Sequence, residues 1–143
     1  MIEFVDTNVI LYSCAADVTP KHDLSVELLA RLFAERTGVL SVQVLMEFYS
    51  NATRKFRMTS QEAEAVLDDY ADWQLHRPDY SSVIGAIHLQ RRHKLSWFDA
   101  MIVNSALETG CSVLWTEDLN DGQRFGDLVI RNPYKHDKHA RIV

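Results

Sequence analysis

Cysteine is scarce in this chain, which has two, Cys14 and Cys111, among 143 residues. They are too few and too far apart for a disulfide framework or a zinc knuckle, and both read as reduced, semi-buried small hydrophobes. Long apolar runs are missing as well. No stretch approaches the roughly 20 apolar residues of a membrane span. The opening Met1-Ile2-Glu3-Phe4-Val5-Asp6 has neither the basic start nor the apolar core of a secretion signal. The expectation is a cytoplasmic protein with no membrane association. Positive charge is not in excess: 20 acidic residues face 15 basic ones, for a formal net charge of -5. That balance argues against bulk electrostatic attraction to nucleic acid. It permits a carboxylate cluster neutralised by bound cations. There is no internal repeat, no Gly/Ser linker, no low-complexity tract and no Gly-rich phosphate loop. Nucleotide-binding readings are correspondingly weak.

What is present is ordinary globular composition, 47% hydrophobic and 24% charged, enough for one core and one domain. That domain is read over residues 1–133. Residues 134–143 form a polar tail carrying Lys135, His136, Lys138, His139 and Arg141. Short β-branched and aromatic runs at Ile2 to Val5, Val39-Leu40, Val113 to Thr116 and Leu128 to Ile130 read as buried strands, with a weaker one around Leu75. Helical patterns lie between them. One begins near Val9, one runs from Asp23 to Arg36 and is closed by Gly38, and one covers Ser41 to Phe56. A Thr59-x-x-Glu62 capping box opens another, Pro78-Asp79 precedes the next, and Ser96 to Thr109 ends at Gly110. The alternation predicts an α/β fold: a three-layer sandwich with a central, mostly parallel sheet of about four to five strands flanked by helices. Ligand sites in such sheets lie at strand C-terminal ends, where the strand order reverses.

Four acids occupy positions that draw notice. Asp6 ends the first strand, where capping of the next helix competes with a functional role. Glu47 interrupts Val44-Leu45-Met46 and Phe48-Tyr49, and shares a helix stripe with Gln43, Ser50, Asn51 and Arg54. That stripe is either a solvated face or one wall of a cleft. Asp99 follows Ser96 at capping-box spacing, yet it enters a helix that is apolar nearly all round, where a carboxylate needs a cation or several donors. Asp118 lies just past a buried strand, as Asp6 does, in a turn-rich loop that also holds Asp121. Were the two strands neighbours, Asp6 and Asp118 would face one another. Converging carboxylates raise one another's pKa unless a cation sits among them, and oxygen-only ligands select Mg²⁺ or Mn²⁺ over zinc.

In these residues the chain resembles the PIN-domain family, in order along almost its whole length. Phe4-Val5-Asp6-Thr7-Asn8-Val9-Ile10-Leu11 is similar to the family's opening strand and first acid, and Ser41-Val42-Gln43-Val44-Leu45-Met46-Glu47 to its serine-to-glutamate segment. Ser96-Trp97-Phe98-Asp99-Ala100-Met101-Ile102-Val103 resembles its most recognisable motif, and Thr116-Glu117-Asp118 its last. The resemblance implies that Asp6, Glu47, Asp99 and Asp118 hold Mg²⁺ or Mn²⁺ and catalyse, with Thr116 and Asp121 as accessory residues. The stand-alone size is most similar to VapC toxins. It implies an endoribonuclease, a small antitoxin partner and a homodimer. Arg54, Lys55 and Arg57, and Arg91, Arg92, His93 and Lys94, are candidate RNA-guiding clusters, and Tyr49 and Trp73 candidate base-stacking rings.

Other readings fit less well. A haloacid-dehalogenase-type phosphatase wants a second aspartate where Asn8 stands. A receiver domain wants paired acids after the first strand and a lysine after the last. The alternative from another class is a PIN-like fold without catalysis, serving as an RNA-binding or protein-interaction module.

Overall fold

The computed structural model describes residues 1–17 and 19–135. In chain order the elements are β1 (Glu3–Val5), α1 (Thr7–Ser13), α2 (Pro20–Glu35), β2 (Gly38–Ser41), α3 (Val42–Arg54), α4 (Ser60–Asp68), β3 (Gln74–His76), α5 (Tyr80–His93), α6 (Trp97–Glu108), β4 (Val113–Trp115), β5 (Arg124–Phe125) and β6 (Leu128–Arg131). The strand order is β3-β2-β1-β4-β6-β5, and all pairings are parallel except β5 with β6. The chain builds outward from β1 through β2 to β3, returns through α5 and α6, and builds the other way from β4. The order therefore reverses between β1 and β4, the position at which sheets of this kind carry their sites.

Burial explains the short central strands. Phe4, Val5, Val39, Leu40 and Leu114 are fully buried, as a sheet covered on both faces requires. Helices are started by side-chain caps. Thr59 and Glu62 form the expected reciprocal box at 2.8 and 3.0 Å, and Asp79 caps α5 after Pro78. Ser41 and Ser96 each accept a backbone N–H three residues on.

Three details depart from the sequence reading. The second helix begins at Pro20 behind a Thr19 cap, not at Asp23, and it ends on Arg36 in the left-handed conformation, φ 58°. Gly38 is thus not the helix stop. It opens β2, where a Cβ would lie 2.3 Å from the Trp73 ring; no side chain fits under that ring. Trp73 itself is partly buried and packs edge-on against Phe33 and Tyr70 at the edge of the core. The sheet also has six strands, because Arg124–Phe125 turns back on β6 through Gly126 at φ 62°. Two residues are too short a run to show a period.

Cys14 and Cys111 are unpaired, half-buried and buried respectively, and burial pushes the Cys111 thiol up to about 11. Of the tail read from residue 134 onward, residues 136–143 lie outside the described residues. Tyr134 packs into the domain: its ring meets Tyr12 edge-on at 5.3 Å, and its hydroxyl is 2.7 Å from the Ser25 hydroxyl. Among the described residues no helix is long and apolar enough to cross a membrane.

Candidate active site

Parallel pairing of β1 with β4 sets Val5 beside Trp115, and the Asp6 N–H continues the ladder by donating to the Trp115 carbonyl at 3.0 Å. The next residues of the two strands are therefore neighbours. Thr116 donates its hydroxyl to Asp6 Oδ2 at 2.8 Å, while Asp6 Oδ1 accepts from the Thr7 N–H at 2.7 Å and caps α1. Capping and site membership are thus compatible in one carboxylate. The Thr116 oxygen in turn accepts the Asp118 N–H at 3.1 Å, which holds the turn after β4 that carries Asp118.

From the other layers come α3 and α6. Glu47 Oε1 accepts from the Thr7 hydroxyl at 2.8 Å and Oε2 from the Gln43 amide at 2.9 Å. The same Gln43 nitrogen donates to the Phe98 carbonyl at 3.3 Å, next to Asp99 in the first turn of α6. Asp6, Glu47 and Thr116 are thus linked through hydrogen bonds at the switch point, and Asp118 and Asp99 lie near enough to interact with this group electrostatically, from segments up to 112 residues apart in the chain.

Their electrostatics record the crowding. Asp6, only 7% exposed, has its carboxyl pushed up to about 7. Burial is the main cause, Asp118 and Glu47 add repulsion, and the Thr116 and Thr7 hydrogen bonds pull the other way. The Asp118 carboxyl also lies above its ordinary range. Partial burial leads again, followed by repulsion from Asp99 and Glu117, against a hydrogen bond with Asp6. Each group is short of positive charge, which is the condition a cation would relieve.

The donors are all oxygen, so their chemistry fits a hard divalent ion. Among the described residues, no three His, Cys, Asp or Glu side chains are gathered into a ready-made metal site. The set is coupled but not closed around one point.

Asp121 turns its carboxylate to the Asn132 N–H at 2.8 Å, tying the loop to the end of β6. Arg54, Arg92 and Lys94 are exposed; Arg54 ends α3 and Lys94 terminates α5 in the left-handed conformation. Tyr49 is half-exposed and donates to Ser60.

Sequence reasoning passed over Gln43 and Thr7 as site members, and it missed a rim of Glu117, Lys21 and Tyr12. Lys21 Nζ lies 2.8 Å from Glu117 and stands over the Tyr12 and Tyr134 rings. Asn8 reaches the other Glu117 oxygen at 3.5 Å. Gln43 was legible at one helical turn before Glu47; Lys21 had no local signal.

A model of the PIN domain matches residues 4–124. Solved structures share the fold at low identity. A toxin–antitoxin complex from Klebsiella pneumoniae is similar at 19% identity and TM-score 0.68, over 92% of this chain and 98% of that one. The FitAB complex bound to an IR36 DNA fragment gives 19% identity and TM-score 0.72, over 96% and 99%. VapC20 of Mycobacterium tuberculosis, a toxin that cleaves the sarcin-ricin loop, gives 18% and 0.62, over 78% and 86%. No curated protein matches the sequence.

Proposed function

Because the chain belongs to the PIN domain family, we propose that it is a divalent-metal-dependent endoribonuclease and the toxin of a toxin–antitoxin pair. The observation that supports this reading is the electrostatic coupling of Asp6, Glu47, Asp99 and Asp118 near the β1–β4 switch point, where Asp6 and Asp118 are held above their ordinary pKa. Asp6, Asp99 and Asp118, with Glu47, would hold Mg²⁺ or Mn²⁺. A bound divalent ion supplies water activation and stabilisation of charge on a phosphodiester in transition. The protein's own part is positional. Thr116 fixes one oxygen of Asp6 and the backbone of Asp118. Asp6, largely buried and with its carboxyl pushed up to about 7, would be held ionised by a bound cation. Arg54, Arg92 and Lys94 would guide the RNA backbone by charge.

The partners follow from the same surface. Met46 and Phe98, 63% and 62% exposed, line one groove with Val42, Trp97 and Met101, an apolar face suited to a homodimer. A groove of about 650 Å³ lined by Tyr12, Lys21, Leu24, Phe56 and Tyr134 borders Glu117. It suits an apolar anchor of a small antitoxin whose arginine pairs with the carboxylates. A solved neighbour that is itself a toxin–antitoxin complex supports this partner. The proposed location is the cytoplasm, where RNA and antitoxin are both available.

That no triad of donors is gathered among the described residues favours one other reading, an inert PIN-like module that binds RNA or protein. Incubation of purified protein with RNA separates the two. The nuclease cuts in Mg²⁺ or Mn²⁺, stops in EDTA and is abolished by Asp99→Asn. A clean protein that cuts nothing at any divalent-ion concentration, and leaves growth untouched when expressed alone, is the inert module.

A further inference from the structure

Glu47 is gripped at both oxygens by neutral donors from two elements, Thr7 at the start of α1 and Gln43 one turn earlier on α3. The second grip is unusual in what it leaves behind. Gln43 is 8% exposed, and its Oε1 is buried with no hydrogen-bond partner. Its amide orientation is not arbitrary. Both neighbours of the nitrogen, Glu47 Oε2 and the Phe98 carbonyl, are acceptors, so a flipped amide would lose two bonds and press oxygen against oxygen. A buried carbonyl without a donor is costly, and folded proteins seldom leave one. A methionine would fill the same space without that cost. The amide is therefore retained for its two N–H groups.

We infer that Gln43, with Thr7, is a positioning residue that braces Glu47. One amide proton fixes the carboxylate; the other ties the first turn of α6, which carries Asp99, to α3. The acids of two layers thus keep one separation. This inference rests on the metal-dependent nuclease reading, since the separation matters only if an ion is to bind between them. A residue that orients a metal ligand in this way typically changes metal affinity or activity by about 10- to 100-fold when removed.

The test is Gln43→Met, of equal length and without donors. Calorimetric titration should show Mn²⁺ affinity about tenfold weaker. Cleavage of an RNA oligonucleotide should lose roughly 10- to 100-fold in kcat with KM unchanged. The metal-free melting temperature should change little, because removal of the unpaired oxygen offsets the two lost hydrogen bonds. Thr7→Val, which keeps the shape and removes the other grip, should move Mn²⁺ affinity in the same direction, and it carries the test if Gln43→Met does not fold. Wild-type Mn²⁺ affinity in folded Gln43→Met overturns the brace, as does wild-type affinity in Thr7→Val where Gln43→Met does not fold. So does a lowered melting temperature with unchanged affinity, which would make Gln43 a core strut. Asp99→Asn runs alongside. If it matches wild type in Mn²⁺ titration, the nuclease reading has failed and the brace with it. If it loses the ion while Gln43→Met keeps it, the brace alone falls.

Discussion

Asp6→Asn should make the metal-free protein more stable at neutral pH while destroying its activity, and the size of the gain follows from the site. The Asp6 carboxyl is raised from 3.8 to about 7 in the folded chain, chiefly by burial. Unfolded, it titrates near 3.9. A raised folded pKa favours the protonated native state, so the contribution is fully present below about pH 4. It is lost as pH climbs through 7, where the unfolded chain has already released the proton. Three units at about 1.4 kcal/mol each make that loss roughly 4 kcal/mol. Asparagine escapes it but cannot accept the Thr116 hydroxyl at the nitrogen, which costs about 1 kcal/mol. The net gain is about 3 kcal/mol at pH 7.5, or on the order of 9 °C for a domain of this size. Thermal melts of wild type and Asp6→Asn in EDTA, from pH 4 to 8, isolate the effect in their difference. That difference should be slightly negative at pH 4 and rise to its full value by pH 7.5. Saturating Mn²⁺ should shrink it, since only wild type gains the ion. A difference that is flat with pH, or Asp6→Asn melting below wild type at pH 7.5, would refute the burial-and-repulsion account and leave Asp6 a helix cap.

RNA cleavage should fall at least 100-fold in Asp99→Asn and in Asp118→Asn, and Ca²⁺ should not restore the activity of EDTA-treated wild type, because calcium accepts looser geometry at longer distances; quantified gel cleavage reads both. Gly38→Ala should destabilise by about 1–3 kcal/mol in urea melts, since its Cβ would lie 2.3 Å from the Trp73 ring, and a neutral result would mean that the ring moves freely. Arg54→Ala should raise KM for RNA and flatten the dependence of log affinity on log salt by about 0.7 for each lost phosphate contact; an unchanged slope would remove Arg54 from the RNA path.

Each of the four acids had a local explanation in the sequence, and the structure honours most of these explanations without exhausting them. Asp6 does cap α1, and Ser96 does cap the turn that carries Asp99. Spacings of three and four residues are legible because the helical period is fixed by the backbone, so the caps, the Gly110 stop and the stripe of Gln43 with Glu47 all lie within one or two turns of chain. What unites them is not local. Thr116 reaches Asp6 across 110 residues because β4, not β2 or β6 alone, lies against that edge of β1, and that pairing is decided by which buried faces pack together in the whole sheet. The same reason hid Trp73 over Gly38 and the Lys21–Glu117 rim, each of which owes its place to a neighbour distant in sequence. The left-handed Arg36 and the two-residue β5 are local, but neither is long enough to carry a periodic pattern. The sequence alone determined the fold class, the element types and the acids worth asking about. Only the tertiary structure decided which of their oxygens are already gripped by neutral donors, because hydrogen-bond partners and burial are properties of the assembled core.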